Sequence, residues 1–382
     1  MIELRGLTWK HDRGVAPMLA TAARFREVHP EVEIVWEARS LSEFGEAPIA
    51  GLAERYDLAV LDHPYMGDVA GSGAFLALDA CLPPEALCAL AEDSAGPSQA
   101  SYATEGRQWA LAIDASAQMM GYRADLLERA GAQLPVTWAD VFELARVRRG
   151  FVSMPLFPLD ALLAFFSLCA NAGEAPLTHP GRVVSREAGE AALAALRKLK
   201  DVSVPDAMAL NPIAIWERMS ATDEIAYCPL AFGYSNYARP GYRPRLLTVG
   251  EIPSAGRGPV GATLGGAGLA ISARCAHREA ALEYAVWVAS AECQGSLYVE
   301  AGGQPASRSA WRSERAHALA PGFFRGALPV VEHAWLRPRR AGFGHQQNLA
   351  AEFVTRHLRD GLGAAETLAG IERSFAAEAT AS

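Results

Sequence analysis

Residues 17–36 read PMLATAARFREVHPEVEIVW, and this stretch decides the fold. Leu19, Ala22, Phe25 and Val28 recur near one face at helical spacing over Pro17–Val28, and Pro30 stops the helix. Val32–Trp36 then alternates apolar and polar residues, as a half-buried strand does. Outward from this pair, Leu4–Trp9 precedes it as a strand and a helix follows near Ser42–Glu54. Asp57–Leu61 is a short apolar run of the kind that forms a buried parallel strand. The order β-α-β-α-β specifies an α/β layer fold built on a mostly parallel sheet.

The pattern changes further along. Gln108–Ile113 is expected to be a strand, followed by Asp114-Ala115-Ser116. Ala124–Ala130 is a short helix, and Thr137 is placed to cap a helix over Trp138–Val147. Val152–Leu156 reads as a strand, Leu159–Ala172 as a buried helix and Arg186–Lys200 as an amphipathic one. Gly261–Ser272 is a Gly-rich apolar strand. Helices are expected at His277–Ala289, Glu292–Glu300, Gln346–Arg359 and Gly363–Ala379, with a turn or crossover at Gly302-Gly303-Gln304-Pro305.

At 382 residues the chain is long for one core, so about two domains are expected. Hydrophobic residues make up 51% and charged residues 20%, a globular composition. A net charge of −8 argues against a nucleic-acid surface. The longest weakly polar stretch, Phe151–Gly173, is broken by Pro155, Pro158 and Asp160 and is too short to span a bilayer. Met1 runs straight into Ile2-Glu3-Leu4-Arg5, so no secretion leader is read at the N-terminus. Either a leader has been removed or the protein stays in the cytoplasm. Cys81, Cys88, Cys169, Cys228, Cys275 and Cys293 form no CxxC pair, so no metal site is expected. Free thiols fit better than a disulfide framework, although Cys81 and Cys88 could pair.

The most suggestive segment for function is Ala226–Gly241, AYCPLAFGYSNYARPG. It mixes Tyr227, Phe232, Tyr234 and Tyr237 with Ser235 and Asn236, and Gly and Pro break the backbone. Ring faces beside amide and hydroxyl groups suit a small polar ligand; the alternative is a Tyr-rich loop that packs one domain on another. Two further loops lie beyond the carboxyl ends of the first and third strands, where α/β sheets bind ligands. They are Lys10-His11-Asp12-Arg13-Gly14 and Asp62-His63-Pro64-Tyr65. His11 and Arg13 could equally be solvated, and Asp62 could cap a turn.

Gly256-x-Gly258-x-x-Gly261 matches a dinucleotide fingerprint in letters only, since Pro259 lies inside it and a strand follows. Gly265-Gly266-x-Gly268 would let backbone approach a ligand or another strand closely. No GxSxG, HExxH or P-loop pattern is present. Asp62 and His63 are adjacent, and on an extended segment their side chains would point apart. The chain therefore reads as a binder with no catalytic residues and no cofactor.

Four segments carry a resemblance to a known family. They are AARFREVHPEVEIVW within Ala20–Trp36, WALAIDASAQMMGYRADLLERAGAQLPVTW at Trp109–Trp138, GGAGLAIS at Gly265–Ser272 and GGQPASRSAW at Gly302–Trp311. In this order they resemble the extracellular solute-binding proteins of family 1, the substrate-capturing subunits of bacterial ABC importers. The resemblance implies a two-lobe periplasmic-binding-protein-like fold of type II, with two mixed sheets, hinge crossovers and a ligand cleft. Lobe 1 would be 1–112 and 258–304, and lobe 2 would be 113–257 and 305–382.

It further implies capture of a sugar, polyol or small organic anion by hinge closure, and delivery to an ABC permease. The location would be periplasmic, and the protein a monomer without a membrane span or nucleic-acid partner. A cytoplasmic sensor of the same fold is the alternative, and an enzyme using the cleft is a more distant one. The candidate ligand residues are Trp9, His11, Arg13, Asp62, His63, Tyr65, Asp114, Tyr234, Ser235, Asn236, Gly265, Gly266 and Gln304. Trp9, Tyr65 and Tyr234 would stack on the ligand. Asp62, Asp114 and Asn236 would fix hydroxyl or amine groups, while His11, Arg13 and His63 keep an anionic ligand open.

Overall fold

A computed structural model describes residues 1–40, 49–179 and 181–376. The first half of the helix expected near Ser42–Glu54 and the end of that expected to reach Ala379 lie outside the described residues; Ile49–Arg55 and Ala364–Ala376 are helical. Seven strands carry the architecture: β1 (Ile2–Trp9), β2 (Val32–Arg39), β3 (Leu58–Leu61), β4 (Leu111–Tyr122), β5 (Tyr227–Phe232), β6 (Thr248–Gly250) and β7 (Leu264–Ile271).

The chain divides into two compact units. Unit 1 is Met1–Ser116, Gly265–Leu319 and Arg337–Gly344; unit 2 is Ala117–Leu264, Ala320–Leu336 and the chain from His345 on. The sequence division gave 305–319 and 337–344 to lobe 2, whereas they pack in unit 1. Local bonds explain the difference. The hydroxyl of Ser309 donates to Asp93 at 2.9 Å and the backbone N–H of Arg308 donates to Asp93 O at 2.5 Å. The N–H of Gly342 donates to Asp68 at 2.7 Å, and Thr104 donates to Arg339 O at 3.2 Å.

In unit 1, β1 pairs in parallel with β2 (Ile2 opposite Val32) and with β3 (Gly6 opposite Leu58). β7 runs antiparallel to β3, with Leu58 opposite Ile271. The helix Asp12–Val28 crosses from β1 to β2. It begins before the Pro17 start read from sequence, because the His11 ring nitrogen accepts the N–H of Arg13 at 3.0 Å and caps the first turn. Pro17 therefore sits inside the helix and removes one backbone bond rather than marking the start. Its inner face brings Met18, Ala22 and Phe25 onto Leu4, Ile34, Leu58, Leu269 and Tyr284, which form the core. Burying side chains of this size stabilises the fold by about 1.5–3 kcal/mol each.

In unit 2, β4 pairs antiparallel with β5 (Gln118 opposite Phe232) and with β6 (Met120 opposite Gly250). Helix Pro158–Asn171 is buried from Asp160 to its end, as its near-continuous apolar sequence requires. It packs on Arg186–Val202, whose inward stripe is Ala192, Leu193, Leu196 and Leu199. Thr137 caps Trp138–Leu144 in a reciprocal capping box with Asp140.

Other readings differ from the structure. Asp114, Ala115 and Ser116 lie inside β4 rather than after a strand. Val152–Leu156 keeps only a parallel bridge, Val152 to Tyr227. Glu292–Glu300 is not one regular helix, because Gln294–Tyr298 winds more widely than the turn before it. Phe323–Glu332 is a further helix, which Pro329 inside it obscures in the sequence. Cys81 and Cys88 are exposed free thiols; the other four cysteines are buried and free. No helix among the described residues is long and apolar enough to cross a membrane.

Candidate functional site

The turn after β3 is the chemically richest part of unit 1. β3 is buried along its whole length, and that burial ends at Asp62, which reaches solvent. Pro64 then fixes a tight helical turn over His63–Tyr65. This turn corrects the expectation that Asp62 and His63 point apart. Asp62 is still extended but His63 already begins the turn, and His63 Nδ1 lies 3.2 Å from Asp62 Oδ1.

Asp62 keeps 35% of its side-chain surface exposed, while Arg337 beside it is 2% exposed. One guanidinium nitrogen of Arg337 donates to both Asp62 oxygens at 3.3 Å. Burial pushes the Asp62 carboxyl up, but the Arg337 charge and the His63 ring beside it outweigh burial and hold it at about 2. Asp62 is therefore an ionised acceptor at neutral pH, open to a ligand. His63 is fully buried, and burial, aided by Arg337, pushes its imidazole down to about 4. It is neutral at pH 7 and closed to solvent.

The surroundings complete this corner. Tyr102 lies edge-on to His63, with ring centres 6.4 Å apart. Burial pushes the Tyr65 phenol up to about 12, with Asp62 adding to the shift. Arg337-Pro338-Arg339-Arg340 lies against the helix that begins at Met66, and Gly67 makes the approach possible. A Cβ there would fall 2.2 Å from the Arg340 backbone. Arg339 is half-buried, and burial lowers its pKa.

The remaining candidates in unit 1 are tied to the fold. Arg13 and Asp114 form an ion pair with side chains 5% and 1% exposed, and Nε donates to Oδ2 at 2.8 Å. Burial raises the Asp114 pKa in spite of Arg13. Trp9 is buried in the core, and its indole lies against Gly14. Gln304 is fully buried and donates to Ala115 O at 2.7 Å. Gly266 has φ +130°, and a Cβ there would fall 2.4 Å from Asp114 O, so close approach to a strand is what this glycine permits. Gly265 is buried in β7. His11 caps its helix.

In unit 2 the aromatic segment is mostly self-packed. Tyr227 and Tyr237 are buried, and the Tyr237 hydroxyl donates to Glu217 at 2.8 Å. Arg243 donates to the same carboxylate at 2.7 Å and covers the Tyr242 ring at 4.2 Å. Tyr234, Ser235 and Asn236 are buried just past the end of β5.

The structure thus brings together Asp62, His63 and Tyr65, and separately Arg13 with Asp114. Sequence reasoning missed Arg337, Arg339, Tyr102 and Asp160. The run Arg337-Pro338-Arg339-Arg340 was the available signal, since three cations about one proline on an acidic chain are unusual. The arrangement can accept hydrogen bonds at Asp62 and donate them from arginines. It presents no exposed nucleophile–base pair.

No curated protein matches the chain in sequence. Solved structures do match in fold. The maltose-bound MalE3 of T. maritima superposes with TM-score 0.84 at 19% identity, covering 98% of each chain. A ribitol-bound ABC transporter solute-binding protein from Agrobacterium radiobacter K84 gives 0.81 at 19% identity over 98% of this chain and 97% of that one. UgpB of Mycobacterium tuberculosis, in complex with glycerophosphocholine, gives 0.79 at 18% identity over 98% and 97%. The sequence profile of the bacterial extracellular solute-binding proteins matches residues 11–295. The chain belongs to the bacterial extracellular solute-binding protein family, and its α/β fold is that of the two-lobe periplasmic binding proteins.

Proposed function

We propose that this solute-binding protein captures a small polar ligand, a sugar, polyol or small organic anion, and delivers it to an ABC permease outside the cytoplasm. One observation carries the choice of ligand class. Asp62, at the carboxyl end of a parallel strand, is ionised by Arg337 and still open to solvent. A carboxylate–arginine pair of this kind accepts and donates at once, which suits vicinal hydroxyl groups. The proposed contacts of this corner of unit 1 are Asp62, Tyr65, Arg337 and Arg339. The ligands named for the solved relatives are maltose, ribitol and glycerophosphocholine, all rich in hydroxyl or phosphodiester oxygens.

The test is isothermal titration with sugars, polyols, carboxylates and glycerophosphodiesters, on the intact protein and on Asp62→Asn. Saturable binding that weakens at least tenfold in the variant supports the proposal. Binding that Asp62→Asn leaves unchanged removes Asp62 from the site.

A further inference from the structure

Helix Pro158–Asn171 carries three polar side chains in its buried stretch, and two are fully used. Ser167 lies 2.5 Å from Gln118 and 2.9 Å from Thr263. Asn171 accepts from Trp138 Nε1 at 3.0 Å and donates to Val260 O at 2.9 Å. The third, Asp160, is 8% exposed and makes no hydrogen bond or ion pair among the described residues. No charged group acts on it; burial alone pushes its carboxyl up, to about 7. Its place in the first turn of the helix favours a negative charge only weakly against such burial.

A second orphan lies in the same unit. Asn236 is 3% exposed, and its side-chain oxygen has no partner. Topology carries both residues toward one edge. Val152 bridges Tyr227 in parallel, so the segment leading to Asp160 and strand β5 leading to Asn236 run in the same direction. Beyond that end of β5, Gly233 N–H donates to Ala117 O at 3.2 Å, where β4 enters unit 2. The carboxyl edge of a sheet is where α/β folds place ligands.

Both orphans are acceptors, a carboxyl and an amide oxygen. A hydroxyl would bring one donor and two lone pairs of its own, whereas an ammonium brings three donors, no acceptor and the missing charge. We infer that Asp160 and Asn236 form a subsite in unit 2 for a cationic amine on the ligand, so that the solute is an amino sugar, amino polyol or similar hydroxylated amine. This rests on the solute-binding reading above and narrows it.

Calorimetry on the full chain with matched probes tests it: glucose against glucosamine, and sorbitol against 1-amino-1-deoxysorbitol. The amino member of at least one pair is expected to bind ten times more tightly or better. Asp160→Asn should abolish that preference without lowering the melting temperature of the unliganded protein, and Asn236→Ala should reduce it. Equal or tighter binding of the neutral members overturns the inference and leaves the solute-binding reading standing, as does a preference that survives in Asp160→Asn. If no member of either pair binds, the inference fails; if the wider panel of sugars, polyols and anions is also silent, the solute-binding reading fails with it.

Discussion

Arg13→Met is the perturbation that best separates fold from function here. Arg13 holds a carboxylate that is 1% exposed, through a bond of 2.8 Å from Nε and a second from Nη2. Two unit charges about 4 Å apart attract by about 4 kcal/mol at an effective dielectric constant near 20. Removing one partner leaves the other buried and uncompensated, and losses of about 3–5 kcal/mol are typical. Asp114→Leu should cost a similar amount, because it strands Arg13. The double variant replaces the pair with apolar groups and should lie within about 2 kcal/mol of the parent. The two single losses then exceed the loss in the double variant by about 4 kcal/mol or more, and that excess is the coupling expected. The assay is guanidinium unfolding followed by tryptophan fluorescence, with Trp9 reporting on unit 1. The reasoning is refuted if Arg13→Met costs less than about 1 kcal/mol while ligand affinity collapses, for then Arg13 serves the ligand and not the core.

Three other outcomes follow from the same geometry. Asp62→Asn should leave the protein folded and weaken ligand binding at least tenfold by calorimetry, since it removes the one open carboxylate beside Arg337. Asp160 binds its proton up to about pH 7 in the folded state but only to about 3.9 when unfolded. Its contribution is thus fully present below pH 4 and is lost as pH rises through 7, by about 4 kcal/mol at most. Asp160→Asn should flatten that part of the stability–pH curve measured by denaturant titration. Gly266→Ala should destabilise by about 2 kcal/mol or more, read from the denaturation midpoint, because φ is +130° and the new Cβ would meet the Asp114 carbonyl.

The α/β core was legible because its signals are local. Phe25, Val32 and Ile34 repeat at the periods that a helix and a strand impose, and Pro30 separates them. The first-turn cap by His11 was not legible, since histidine is a weak cap signal and Pro17 looked like a better start. The division of the chain was blurred because 305–319 and 337–344 are recruited to unit 1 by contacts with Asp93, Asp68 and Thr104, more than 200 residues away in sequence.

The site was half legible. Asp62 stood out as the first polar residue after a buried strand. Its electrostatic partner did not, because Arg337 lies 275 positions later in sequence. Arg13 and Asp114 looked like two ligand groups for the same reason, as nothing in the letters shows that they face each other. Asp160 was seen only as an interruption of an apolar run; its meaning depends on Ser167 and Asn171 being satisfied while it is not.

The most direct test is the thermal stability of the intact protein against sugars, polyols, amino sugars, carboxylates and glycerophosphodiesters, with calorimetry on every hit. The account predicts a saturable hit with one ligand per chain. At 100 to 1,000 times its dissociation constant, that ligand should add about 3–4 kcal/mol to stability, and the effect should shrink in Asp62→Asn. Silence across the panel, or conversion of the bound compound to product, would contradict it.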